Sequence, residues 1–249
     1  MAYSDPRLNE TDPISTSLDM LSKKWSIDPI VRDLHLGKRN DLQDYQVRIN
    51  QVTFHIPYII TPSLFLLWRC LWPDCHNCCT RQGRLPLTID DITKISKNLG
   101  YEKRSDFLKE ETYVASWDNN STYNSNNSQL ISTLTMINLK RKNNENEDEN
   151  GTPLSCRFLD DHGSCTIHPD KPGVCWLYPF FSWSQFENNR MVVHASFQLT
   201  GDCPGFYLNA VIDEDMMKIL NDYSKKIYDY TMNINTTMRE GFGRIDLID

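Results

Sequence analysis

Cys70-Leu71-Trp72-Pro73-Asp74-Cys75-His76-Asn77-Cys78-Cys79 gathers four of the chain's eight cysteines into one short stretch, and the others follow at Cys156, Cys165, Cys175 and Cys203. Thiols crowded in this way are metal ligands or disulfide partners. A chain of 249 residues buries enough surface to fold without cross-links. It begins Met1-Ala2-Tyr3-Ser4-Asp5-Pro6, with no basic segment leading into an apolar one, so no secretory signal is expected. A cytoplasmic location follows as the default, and thiols stay reduced there. The Asn-x-Ser/Thr triplets at Asn9, Asn119, Asn120, Asn126, Asn150 and Asn235 would suit a secreted protein, but most fall in an asparagine-rich tract where such triplets arise by chance. Metal ligation is therefore the preferred reading, with disulfides and unpaired structural thiols behind it.

Pro73, Asp74, His76 and Asn77 make the stretch a loop whose cysteines turn inward. The apolar segment before it, Ile56 to Trp72, contains Pro57, Pro62 and Arg69 and falls short of the roughly 20 apolar residues of a membrane span. It reads as a core element. The net charge of -7 argues against general nucleic-acid binding, which needs a basic face. Any protein partner or substrate stays unidentified.

Working outward, Gln51 to His55 alternates as a strand does. Residues 1–12 read as a loose arm, and Ile14, Leu18, Leu21 and Trp25 form a helical stripe. Residues 26–50 show no decisive pattern. After the cysteines, Thr88 is an N-cap, Asp90 and Asp91 suit the positive end of a helix, and Gly100 ends it. Ile89, Ile92, Ile95 and Leu99 form its buried stripe. Ser105 caps a second short helix carrying Phe107, Leu108 and Tyr113. Residues 118–151 are an asparagine-rich insertion with little to bury, except a strand over Leu130–Leu139. Cys156–Asp160 and Ser164–His168 read as short strands about a His162-Gly163 turn. Trp176–Phe186 and Met191–Leu199 read as a hairpin closed by Asn188-Asn189. A helix from Asp213 to Thr231 presents Met216, Leu220, Tyr223, Ile227 and Tyr230. The fold expected is α+β: a small antiparallel sheet with flanking helices around a cysteine-ligated metal site, and a long C-terminal helix. Its parts are an N-terminal arm and helix (1–50), a cysteine-cluster domain (51–210) and a C-terminal helical element (211–249).

Thiolates are soft, anionic ligands, and a short Cys75-x-x-Cys78 spacing lets one loop supply several. A second segment must close the site, and Cys156, Cys165 and Cys175 can provide it. The second CxxC of a zinc ribbon and the ferredoxin run are absent. His76 and His168, beside ligand cysteines, either complete a mixed site or simply hydrogen-bond near loops. Asp160-Asp161 suits a turn and Asp90-Asp91 a helix start, so neither pair needs a catalytic role. The aromatic run Trp176, Tyr178, Phe180, Phe181 and Trp183 fills the sheet core and shields the site.

The whole pattern resembles the YkgJ-type cysteine-cluster proteins, a zinc- or iron-chelating family whose kind of domain also occurs in flagellin lysine N-methylase. The resemblance rests on Cys70 through Cys79, Leu87-Thr88-Ile89-Asp90-Asp91, Cys156-Arg157-Phe158-Leu159, Cys165-Thr166-Ile167-His168, Lys171-Pro172-Gly173-Val174-Cys175-Trp176-Leu177-Tyr178-Pro179-Phe180 and Cys203-Pro204-Gly205, over residues 68–206. This chain departs by a longer Cys70–Cys75 gap, by His76 for Gly, His168 for Tyr, Lys171 for Arg and Trp176 for Arg. The resemblance implies a bound iron–sulfur cluster, 4Fe–4S, or zinc, with Cys70, Cys75, Cys78, Cys79, Cys156, Cys165, Cys175 and Cys203 as the ligand candidates. It implies no single reaction. An iron–sulfur or other metal-binding protein with a redox or accessory role leads. A protein-lysine N-methyltransferase and a zinc-stabilised interaction protein are the alternatives.

Overall fold

The computed structural model describes residue 23 and residues 28–72, 74–81, 84–117, 134–141, 155–199 and 203–240. The chain divides into two compact units, Met1–Cys78 with Leu177–Thr231 and Cys79–Trp176 with Met232–Asp249.

The first unit is built on a sheet. Helix α1 (Pro29–His35) is capped by the Asp28 carboxylate, which accepts from the Ile30 N–H at 2.7 Å. Strands β1 (Leu42–Ile49), β2 (Val52–Ile59) and β3 (Leu64–Trp68) follow, and β6 (Phe180–Glu187), β7 (Arg190–Phe197) and β8 (Phe206–Asn209) return from the other side of the cysteine segments. The order is β6-β7-β2-β3-β8, with β1 also on β2. β1 covers one edge of β2 along its whole length. The other edge is shared: Val52–His55 pair with β7, and Tyr58–Ile59 with β3. Only the β2–β7 pairing is parallel among those described.

Val52, Phe54 and Ile56 alternate inward, as a half-buried strand requires. Phe180 packs against Phe54, Trp68, Phe197 and Tyr223 at ring separations of 5.1–6.3 Å. The aromatic run therefore fills the core mainly through Phe180, while strand alternation turns Phe181 outward. Asn188 and Asn189 have φ of 48° and 62°, the left-handed pair that a tight two-residue hairpin needs. The C-terminal helix (Glu214–Glu240), which belongs to this unit as far as Thr231, starts where the Asp213 carboxylate accepts from the Met216 N–H, and Met216, Leu220 and Ile227 are its buried stripe.

The second unit packs a short helix (Ile89–Asn98) and another (Arg104–Glu111) with the ladder of β4 (Thr112–Trp117) and β5 (Leu134–Leu139). Leu85, Leu87, Ile92, Ile95, Phe107, Ile137, Leu139, Phe158 and Ile167 form its core, and Cys156, Cys165 and Cys175 pack against that core.

The expected α+β class, antiparallel hairpin and long terminal helix are all present. The 14–25 helix falls almost wholly outside the described residues. The unassigned 26–50 stretch supplies α1 and β1. The helix credited to a Ser105 cap begins at Arg104, after Lys103, without a side-chain cap. Cys156–Asp160 and Ser164–His168 form turns joined by single bridges, Arg141↔Cys156 and Leu159↔Cys165, rather than strands. There the Asp160 carboxylate takes the N–H groups of His162 and Ser164 at 2.9 and 2.7 Å. No described helix is long and apolar enough to cross a membrane.

His35 is buried edge-on to Phe206, ring centroids 5.1 Å apart, and neither ring nitrogen has a partner among the described residues. Burial lowers its pKa from 6.5 to about 4. The unfolded chain therefore binds this proton more readily than the folded one. The contribution to stability is complete above pH about 6.5, declines as pH falls, and is lost once pH passes through about 4. Between pH 7.5 and pH 5 the folded state should lose about 2 kcal/mol through this residue. Urea denaturation of His35→Leu at both pH values should show that much less acid sensitivity.

Candidate metal centre

In the first unit the sheet delivers the outer cysteines. Strands β3 and β8 pair antiparallel from Phe65↔Asn209 to Trp68↔Phe206, and the Arg69 N–H continues the ladder onto the Gly205 carbonyl at 3.0 Å. The two strands thus end side by side, with Cys70 just beyond one and Cys203 just before the other. Gly205 is there because nothing larger fits: a Cβ would lie 2.2 Å from the Arg69 carbonyl oxygen and 3.0 Å from Trp68 Nε1. The Cys203 sulfur is buried and receives three donors, the Trp68 indole N–H at 3.4 Å, the Gly205 N–H and the Tyr178 hydroxyl. Burial pushes this thiol up to about 11 against the pull of those donors, and Cys75 lies within electrostatic reach. Tyr223, whose ring edge meets Trp68 at 6.1 Å, reaches Cys70 and Cys78 and is itself raised to about 12, chiefly by burial.

The expected loop is a loop only as far as His76. A five-residue helical turn, Asn77–Arg81, then carries both Cys78 and Cys79, and the boundary between the two units falls between them.

Cys79, Cys156, Cys165 and Cys175 all belong to the second unit. The Cys156 N–H donates to the Cys79 carbonyl at 2.9 Å, so the two sides of the asparagine-rich insertion meet directly. Each of the four sulfurs is within electrostatic reach of the other three. Burial raises the thiols of Cys156, Cys165 and, most strongly, Cys175. Against that, the N–H two residues on points at the sulfur in Cys156 (from Phe158) and Cys165 (from Ile167), as it does in Cys203 (from Gly205). The same short turn is built at three separate cysteines, and N–H groups aimed at sulfur favour the thiolate.

Two cations face this group. Buried Arg141 reaches Cys156, Cys175 and Cys79, and Lys171 reaches Cys175 and Cys165. The Lys171 ammonium sits over the Trp176 ring, 4.1 Å from its centroid, so the two residues form one cation–π unit. His168 packs against the same ring at 5.6 Å.

Asp91 secures the segment leading to Cys175. Its carboxylate accepts from the Thr88 N–H at 3.0 Å, Thr88 Oγ1 accepts from the Asp91 N–H, and the second carboxylate oxygen accepts from the Gly173 N–H at 2.9 Å. Burial raises its pKa against those bonds. Sequence analysis placed Asp91 at a helix start, which it is, but nothing local could show its second bond, 82 residues away. Arg141, Trp68 and Tyr178 were likewise not singled out as cysteine partners, because their relation to sulfur is tertiary.

No disulfide joins the cysteines, all of which lie among the described residues. Among the described residues no three His, Cys, Asp or Glu side chains are drawn together so as to hold a metal ion as they stand. The donor chemistry nonetheless fits one: four thiols within electrostatic reach of one another, backbone N–H groups toward two of the sulfurs, and two cations within reach. Such a fold and site define a class, that of thiol-rich metal-chelating proteins. Residues 69–196 match the family model described as "CxxCxxCC: Putative zinc- or iron-chelating domain", and the chain belongs to that family. Neither the curated proteins nor the solved structures provide a match.

Asp91→Ala should destabilise the protein by about 2 kcal/mol or more, since it removes charge-assisted bonds to two segments. Thr88→Ala, which removes the cap alone, should cost about 1 kcal/mol. Urea denaturation compares the two directly. Gly205→Ala should lower the thermal midpoint well beyond either, because the obstruction is backbone rather than a flexible side chain.

Proposed function

We propose that this chain is an iron–sulfur protein in which Cys79, Cys156, Cys165 and Cys175 hold a four-iron, four-sulfide cluster serving a redox or accessory role. The observation that carries the reading is that four sulfurs, drawn from separate segments on both sides of the insertion, all lie within electrostatic reach of one another. A thiol-only donor set suits iron–sulfur clusters and zinc alike. Structural zinc sites usually draw ligands as paired CxxC knuckles, whereas these four arrive singly. When bound, the cluster would supply one-electron redox chemistry.

The chain's own residues are suited to hold it. A tetrathiolate centre with a dipositive core keeps roughly two negative charges. Arg141 and Lys171 supply two positive charges beside it. N–H donors from Phe158 and Ile167 reach two of the sulfurs, and such bonds tune cluster potentials.

The full chain purified without air should be brown, with broad visible absorbance and equal amounts of iron and acid-labile sulfide. Cys175→Ser should lose that absorbance from this centre. A colourless protein holding stoichiometric zinc would replace this reading with a zinc-stabilised one, and a protein holding neither would end it.

A further inference from the structure

We infer that Cys70, Cys75, Cys78 and Cys203 form a second thiol-ligated metal centre, complete within the first unit and separate from that of Cys79, Cys156, Cys165 and Cys175. The inference rests on the reading above for the kind of centre and goes beyond it in number and in ligand assignment.

Three observations carry it. The first is the ladder of β3 and β8, which sets Cys70 and Cys203 at neighbouring strand ends and is locked by the Gly205–Arg69 approach. That approach leaves no room for a side chain at Gly205, so the two strand ends that lead to Cys70 and Cys203 are held side by side. The second is the environment of the Cys203 sulfur. A neutral thiol is a weak acceptor, yet an indole N–H, a backbone N–H and a phenol O–H all converge on this buried atom. Three donors on one sulfur suit a metal-bound thiolate, whose hydrogen bonds orient and tune it. The third is that the remaining members lie within electrostatic reach of the same group of residues. Cys75 reaches Cys203, while Tyr223, in ring contact with the Trp68 that donates to Cys203, reaches Cys70 and Cys78.

The double cysteine then has a physical reason. Cys78 and Cys79 are consecutive, and each belongs to a different quartet. A single residue there could serve one centre only. Within this assignment Trp68, Tyr178 and Tyr223 are positioning residues of the first quartet, and they have no role at the second.

Metal counting on the full chain tests the assignment. The anaerobic wild type should hold about eight iron and eight sulfide, or about two zinc if zinc is the native metal. Cys203→Ser and Cys70→Ser should each halve the content, and Cys156→Ser should remove the other half. Because Cys70 is exposed, its variant keeps the test valid if the buried Cys203 substitution disturbs folding. Trp68→Phe should leave the stoichiometry nearly intact but shift the visible or electron-spin signature of the half that Cys203→Ser removes. A wild type with one centre's worth of metal, lost on Cys156→Ser and kept on Cys70→Ser and Cys203→Ser, would overturn the second centre and leave the proposed function standing. Loss of all metal from either class of variant would overturn the partition. A wild type without metal would overturn both readings.

Discussion

Sulfur buried away from water governs this structure. A thiol can be buried cheaply, but a thiolate cannot unless hydrogen-bond donors and positive charge replace the water it gives up. The chain provides the donors from its own backbone, by repeating one turn in which the N–H two residues on points back at the cysteine. The motifs Cys-x-Phe, Cys-x-Ile and Cys-Pro-Gly are thus one device with different packing residues. Phe158 and Ile167 also belong to the second unit's core, so each turn is held in place by the apolar residue whose N–H it uses.

Charge is arranged with the same economy. Arg141 is almost inaccessible, and burial by itself weakens its hold on a proton. A guanidinium so placed needs anions, and its neighbours include three cysteines. Lys171 approaches from the other segment and rests on Trp176, which spreads the ammonium's interaction over a ring and leaves the charge near Cys175 and Cys165.

Much of this was legible in sequence wherever the signal is local. The capping box at Thr88 and Asp91, the Asn188-Asn189 turn and the stripe of Met216, Leu220 and Ile227 each depend on residues a few positions apart. The cysteine motifs were recognised by order and spacing for the same reason. What was hidden is tertiary. The parallel pairing of β2 with β7 joins strands some 140 residues apart and leaves no local trace. β1 escaped notice because most of its residues stay at least partly exposed, so it lacks a clear apolar alternation. The pairing of Cys203 with Trp68, and of Arg141 with sulfur, depends on which chain segments meet, and no window of sequence contains both partners.

In the second unit two backbone pairings clasp positions far apart in sequence, Trp117↔Leu134 and Arg141↔Cys156. Closing a loop grows more costly only slowly with its length, by about 0.6 kcal/mol per doubling. An insertion placed between either pair would therefore start and end at neighbouring backbone positions and cost little more as it lengthens. For the protein engineer, the same clasps mark two ports where a fluorescent reporter or an affinity handle can be lodged while both chain ends stay untouched.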